Sequence, residues 1–157
     1  MEKEPLFYFA PLEGISWYVY RNMQAKHFKA ADYYVTPFIA PNQKREIRNK
    51  DKQDVLPENN VGMRIIPQLI GNRADEFIDT ARQLKDMGYD EINLNLGCPS
   101  NTVVAKAPVF WQNSWSWNIF WMKFLTVFPW IFPLKPDWGD TTRKNFMKFL
   151  IYLIDFP

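Results

Sequence analysis

The chain has 157 residues, 47% of them hydrophobic and 17% aromatic, with a formal net charge of +2. This length fits one domain, the charge is too mild to imply nucleic-acid binding by itself, and one cysteine excludes an internal disulfide framework and fits a reducing, cytoplasmic setting. No basic stretch followed by an apolar run opens the sequence, so no signal peptide is expected. The most apolar late window, residues 117–134, contains Asn118, Lys123, Pro129 and Pro133. It falls short of the roughly 20 apolar residues that a spanning helix needs, so no membrane association is expected.

In chain order, residues 6–10 form a short apolar run stopped by Pro11 and Gly14, which predicts a buried strand. Ser16 is placed to cap a helix over 17–28. Residues 32–36 are rich in β-formers and stop at Pro37, predicting a second strand. Residues 41–60 are polar and charged and read as a long loop. Residues 64–70 predict a third strand, closed by Gly71 and Asn72.

A clear helix follows. Ala74, Phe77, Ile78, Ala81, Leu84 and Met87 recur at helical spacing, with Asp75, Glu76, Asp79, Arg82, Lys85 and Asp86 on the other side. Gly88 is a natural helix stop. Residues 91–96 predict a fourth strand running into Gly97, Cys98 and Pro99. Strands alternating with helices at this spacing mean βα units and a parallel sheet. Glu13, Gln68, Asn95 and Cys98 all fall near strand C-termini. In a (β/α) barrel that rim carries the chemistry.

Four segments in order carry a resemblance: residues 10–15 (Ala-Pro-Leu-Glu-Gly-Ile), 36–38 (Thr-Pro-Phe), 67–72 (Pro-Gln-Leu-Ile-Gly-Asn) and 93–100 (Asn-Leu-Asn-Leu-Gly-Cys-Pro-Ser), the last followed by Val103, Val104, Ala105 and Lys106. Together they resemble the tRNA-dihydrouridine synthase family over about two-thirds of the chain. The resemblance implies an α/β chain forming about four βα units of a (β/α)8 TIM-type barrel. It also implies FMN as cofactor, NADPH as reductant, and tRNA uridine as the substrate reduced to 5,6-dihydrouridine. By the same resemblance, Pro11, Leu12 and Glu13 lie along the flavin. Gln68 bonds its pyrimidine edge, Asn95 positions flavin and uracil, and Cys98 donates the proton to uracil C5. A thiol with a pKa near 8.5 is mostly protonated at neutral pH and suits that role.

Other readings of these residues compete. Cys98 alone would read as an inert small core residue, and Glu13 as a helix-start acid. His27 sits beside Lys26 on an expected solvated helix face. Lys44, Arg45, Arg48, Lys50 and Lys52 alternate with Glu46, Asp51 and Asp54, which reads as a solvated segment at least as readily as an RNA contact. Another FMN barrel, such as a dihydroorotate dehydrogenase, fits the context around Cys98 and Thr36 less well.

The composition changes after Lys106. Residues 1–106 hold 14 acids and 14 Lys plus Arg, whereas 107–157 hold three acids, five bases and six of the seven tryptophans. Loss of one base after the Lys106 codon accounts for this. Each intended codon then joins the last base of one present codon to the first two of the next. Because tryptophan has one codon, Phe110-Trp111 decodes to Leu, Trp111-Gln112 to Ala, Trp117-Asn118 to Glu, Trp121-Met122 to Asp and Trp138-Gly139 to Gly. With Leu and Ala forced and the other positions chosen among their allowed codons, the restored frame can open Gly-Ser-Gly-Phe-Leu-Ala, which resembles the glycine turn that follows Val-Val-Ala-Lys in the family. The expectation is a family domain over 1–106 and a frameshifted, aromatic-rich tail over 107–157 with no assigned domain. On that expectation the chain is poorly soluble or partly folded, binds FMN weakly and does not turn over. A tail that binds a membrane surface or a partner is the remaining alternative.

Overall fold

A computed structural model describes residues 5–71 and 73–95. The expected tail, Cys98 and Asn72, expected with Gly71 to close the third strand, lie outside the described residues. The order is β1 (Tyr8–Phe9), α1 (Tyr18–His27), β2 (Tyr33–Val35), α2 (Asn49–Val55), a 3-10 turn (Pro57–Asn59), β3 (Ile65–Ile66), β4 (Gln68–Leu69), α3 (Ala74–Asp86) and β5 (Asn93–Leu94). The described residues are α/β, and every strand pairing among them is parallel.

β1, β2 and β3 form one sheet in that order, with Tyr8 opposite Tyr33 and Tyr34 opposite Ile65. β4 and β5 form a second ladder, with Gln68 opposite Asn93. The expected single third strand is therefore divided in two at Pro67. Proline has no N–H to give to a ladder, which is the physical reason for the break. The backbone still tracks both neighbours across it. Thr36 N donates to Ile66 O at 3.1 Å and Ile39 N to Gln68 O at 2.8 Å on one side. On the other, Asn93 N donates to Pro67 O at 2.8 Å and Asn95 N to Leu69 O at 2.9 Å.

α3 forms where the helical spacing places it, and its apolar stripe fills the core. Phe77, Ala81 and Leu84 are fully buried and pack with Leu69, Val55 and Ile39. Burying one such large side chain stabilises by about 2–3 kcal/mol. Gly88 ends the helix in a Schellman motif: Tyr89 N donates to Leu84 O at 3.1 Å and Gly88 N to Lys85 O at 2.9 Å. Gly88 has φ +98°, which a side chain would resist. Glu76, expected on the solvent side, is buried instead, because Arg73 Nε meets its carboxylate at 2.8 Å.

Two further expectations are corrected. Residues 41–60 are not a plain loop, because they contain α2 and the 3-10 turn. The aliphatic residues there are only Ile47, Val55 and Leu56, the first two buried, and they show no helical repeat, so periodicity could not reveal a seven-residue helix. Ser16 does not cap α1. The N-cap is Trp17 with no side-chain bond, and the carboxylate of Asp54 accepts the Tyr18 N–H instead.

Candidate active site at the strand ends

Parallel strands bring their C-terminal ends to one edge, so the residues after β1, β2 and β5 share a rim with those of β4. Directly after β1, Leu12 O accepts from Ile15 N at 3.1 Å and from Ser16 N at 2.9 Å, closing a tight turn. Gly14 sits third in it with φ +79°, the conformation such a turn requires. Ser16 Oγ accepts from Leu12 N at 2.6 Å and donates back to Leu12 O at 3.0 Å. The turn leaves Leu12 and Glu13 exposed and Pro11 half-buried. Glu13 does not serve α1, whose first turn takes its cap from Asp54.

Gln68 is the centre of an amide group. It is 9% exposed, its Nε2 donates to Asn93 Oδ1 at 2.9 Å, and its Oε1 accepts from Asn95 Nδ2 at 3.3 Å. Its main-chain N donates to Thr36 Oγ1 at 3.1 Å. Thr36 is fully buried and its hydroxyl donates to Pro37 O at 3.0 Å. The structure thus brings together two expected site residues, Gln68 and Asn95, and adds Thr36 and Asn93. Pro11, Leu12 and Glu13 lie on the same strand-end rim without a hydrogen bond to that group. A sequence signal for Asn93 existed: residues two apart on a strand share a face, so Asn93 pairs with Asn95.

The turn after β1 is fastened from behind by Arg21, which sequence reasoning did not single out. Arg21 is fully buried, with Nη1 donating to Ser16 O at 2.8 Å and meeting Asp54 Oδ1 at 3.2 Å. Its Nη2 donates to Asp54 O at 2.7 Å and to Asn60 Oδ1 at 2.9 Å. No spacing rule joins residues more than 30 apart, and a lone arginine among helix aromatics gives no hint of its partner.

The basic residues of 41–60 are partly committed elsewhere. Arg45 meets Asp79 at 3.2 Å and Arg48 meets Asp51 at 2.7 Å. His27 is exposed in the last turn of α1, as expected of a solvated face. Burial is the largest single influence on Asp75 and pushes its carboxyl up. Backbone N–H donors and Arg73 outweigh it and hold the carboxyl below its ordinary value. A cavity of about 300 Å³ opens between residues 40–43 and 70–76, lined by Pro41, Asn42, Ile70 and Glu76 among others, and does not include the Gln68 group. Among the described residues there is no group of three or more His, Cys, Asp or Glu side chains that could hold a metal. No described helix is long and apolar enough to cross a membrane.

The sequence matches the family described as dihydrouridine synthase (Dus) over residues 8–107. The chain belongs to the dihydrouridine synthase family. It is 27% identical over 102 residues to a probable tRNA-dihydrouridine synthase of Rhodobacter capsulatus, covering 65% of this chain and 31% of that protein. It is 40% identical over 52 residues to a tRNA-dihydrouridine(20/20a) synthase of Vibrio parahaemolyticus, covering 33% of this chain and 16% of that protein. It is 25% identical over 109 residues to a probable tRNA-dihydrouridine synthase of Staphylococcus aureus strain COL, covering 65% of this chain and 31% of that protein. The chain therefore spans at most about a third of the length of these relatives.

Proposed function

We propose that residues 1–106 are the N-terminal half of the barrel of an FMN-dependent tRNA-dihydrouridine synthase. The observation that carries this reading is the amide group of Gln68, Asn93 and Asn95 at the strand ends, beside the turn that presents Pro11 and Leu12. A flavin has an apolar ring body and an amide-like pyrimidine edge. An exposed Leu12 with Pro11 suits the first, and amide donors and acceptors suit the second. When bound, the flavin supplies a hydride to uracil C6, and NADPH recharges it.

The protein residues have three tasks on this reading. Pro11, Leu12 and Glu13 flank the flavin. Gln68 orients the pyrimidine edge, while Asn93 and Thr36 hold Gln68 in place from the side chain and the backbone respectively. Asn95 sits one residue past β5, donates to Gln68, precedes Cys98 by three residues in the sequence, and positions the uracil. The Cys98 thiol holds the proton destined for C5, a step that needs the protonated form of the sulfur. The target uridine must leave its stack to reach such a rim, so tRNA contacts by aromatic and basic side chains go with the reading. A tRNA substrate also goes with a cytoplasmic location.

We further propose that 107–157 is read in a shifted frame and that this polypeptide does not turn over. The family match stops at residue 107, one residue past Lys106, where the acids thin out and the tryptophans begin, and this supports the reading. A barrel of this class needs eight strands and about 250 residues, and the chain spans about a third of its relatives. The experiment inserts one base after the Lys106 codon and continues the open frame. The restored protein reduces uridine in tRNA and its Cys98→Ala variant loses at least ~100-fold of that rate. The 157-residue chain gives no dihydrouridine. Dihydrouridine formed by the 157-residue chain, or a restored frame with no family sequence, overturns the proposal.

A further inference from the structure

We propose that Arg21 is a positioning residue that sets the turn at residues 12–16, and through it the flavin-side rim; the functional half of this statement rests on the flavin reading above. The turn has few anchors of its own. Leu12, Glu13 and Ile15 are exposed, and Gly14 has nothing within 4 Å of where a Cβ would sit. Its internal bonds all converge on Leu12 and Ser16. Its hold on the rest of the protein comes through Ser16, which is 1% exposed and whose carbonyl accepts from Arg21 Nη1 at 2.8 Å.

Arg21 in turn is fixed from outside its own helix. Asp54, at the end of α2, takes the guanidinium on its carboxylate and on its carbonyl, and Asn60, just past the 3-10 turn, takes the remaining Nη2 donor. Asn60 Nδ2 also donates to Asp54 O at 3.1 Å and to Leu56 O at 2.9 Å. The same Asp54 caps α1 at Tyr18. One fully buried cation therefore ties the turn after β1 to the α2 segment. A planar fork with several donors can serve all these acceptors at once, and an ammonium cannot. Taking this charge out of water is costly, and its Nε has no hydrogen-bond partner, so Arg21 adds little net stability and its effect is placement of the groups it binds.

The test uses the full 157-residue chain as wild type, Arg21→Met and Arg21→Lys. Amide hydrogen exchange is followed at Leu12, Ile15 and Ser16, whose N–H groups are bonded within the turn, and at the buried stretch of α3. FMN affinity is followed by quenching of flavin fluorescence. In Arg21→Met the three turn amides exchange at least ~10-fold faster while α3 is unchanged, the signature of local opening. FMN dissociation rises at least ~10-fold. Arg21→Lys, which keeps the pair with Asp54 and loses the fork, falls between. If Arg21→Met does not fold, Asp54→Asn replaces it and loosens the same three amides to a smaller extent. Unchanged turn amides, or faster exchange spread equally through α3, overturn the positioning role. Loosened amides with unchanged FMN affinity overturn its link to the cofactor. A wild-type chain that binds no FMN overturns the flavin reading and that link with it, while the exchange data still decide whether Arg21 sets the turn.

Discussion

Replacing Gln68 by Leu separates the two roles that a strand-end amide can have. The side chain makes two bonds, to Asn93 at 2.9 Å and from Asn95 at 3.3 Å. The first has good length and is worth about 1 kcal/mol, and the second is long and worth about half that. Asn93 is exposed and Asn95 half-buried, so water recovers much of what both lose. Leu has a similar volume and gains about 1 kcal/mol by burial at a 9% exposed position. The main-chain bond from Gln68 N to Thr36 Oγ1 is untouched. The terms nearly cancel, and the expected change in unfolding free energy is under about 1 kcal/mol. Flavin binding has no such offset, because Leu offers nothing to a pyrimidine edge, and the expected rise in FMN dissociation constant is ~10-fold or more. Urea denaturation followed by fluorescence gives the first number and flavin quenching the second. A folded Gln68→Leu chain with wild-type FMN affinity refutes the assigned role. A stability loss above about 3 kcal/mol refutes it differently, by showing that the amide group is part of the scaffold.

Two further outcomes test the packing. Phe77→Ala empties the centre of the core, where the ring is fully buried. It is expected to cost about 3–5 kcal/mol in urea denaturation, and a loss below about 1 kcal/mol would contradict the core assignment. Tyr89 supplies a pH signature. Burial, with Arg21 opposing and Asp54 and Glu58 adding, pushes its hydroxyl from 10.0 up to about 12. The neutral form also donates to Val55 O. A phenol pKa raised on folding contributes stability fully present below pH 10 and lost as pH rises toward 12. The full shift would correspond to about 3 kcal/mol, and partial exposure cuts this to about 1 kcal/mol. The stability gap between wild type and Tyr89→Phe, measured in urea at pH 9.5 and 11.5, is therefore expected to narrow at the higher pH. A constant gap would show that Tyr89 is not held neutral by the fold.

What the sequence made legible followed from local rules. The 3.6-residue spacing of Ala74, Phe77, Ile78, Ala81 and Leu84 specifies α3 almost to the residue, and Gly88 specifies its end. β-formers stopped by Pro11 and Pro37 specify the first two strands, longer in expectation than the two and three residues that pair. What was hidden depends on distant partners. α2 has one apolar anchor within its seven residues and owes its place to Arg21 and Tyr89, both distant in sequence, and to Asn60 just past the following turn. Glu76 lies on the polar side of the pattern, yet Arg73 allows it to be buried. At the site, Gln68 and Asn95 were legible as polar residues near the ends of expected strands, although Gln68 opens β4 and Asn95 follows β5. Asn93 and Thr36 were present in the quoted segments but gave no sign that they brace Gln68. Cys98 lies outside the described residues, so its role rests on the resemblance and on the restored-frame experiment.

The distribution of exposed apolar side chains bears on why this chain is expected not to turn over. On one flank, α3 and its neighbours are closed, with Val55, Leu69, Phe77 and Leu84 at 0% exposure. On the other, β1 is the edge of its sheet, and Leu6, Phe7 and Tyr8 along it are more than half exposed. Val19, Tyr20 and Met23 on the outward side of α1 are open as well. Tyr8 stacks on Tyr33 at 4.8 Å, and Arg64 lies 5.7 Å over the Tyr33 ring, so this face is organised although none of the described residues covers it. A βα unit has two flanks to satisfy, and here the described residues satisfy one. A soluble monomer seldom leaves so much apolar surface without a neighbour. In a closed barrel the neighbour of the first strand is the last one, and the relatives are about three times longer than the segment they share with this chain. On the reading proposed above, the uncovered flank and the lost turnover have one cause. Restoring the frame should therefore restore both, with uridine reduction appearing in the same protein in which Trp17, 49% exposed beside the rim, becomes shielded from a soluble quencher.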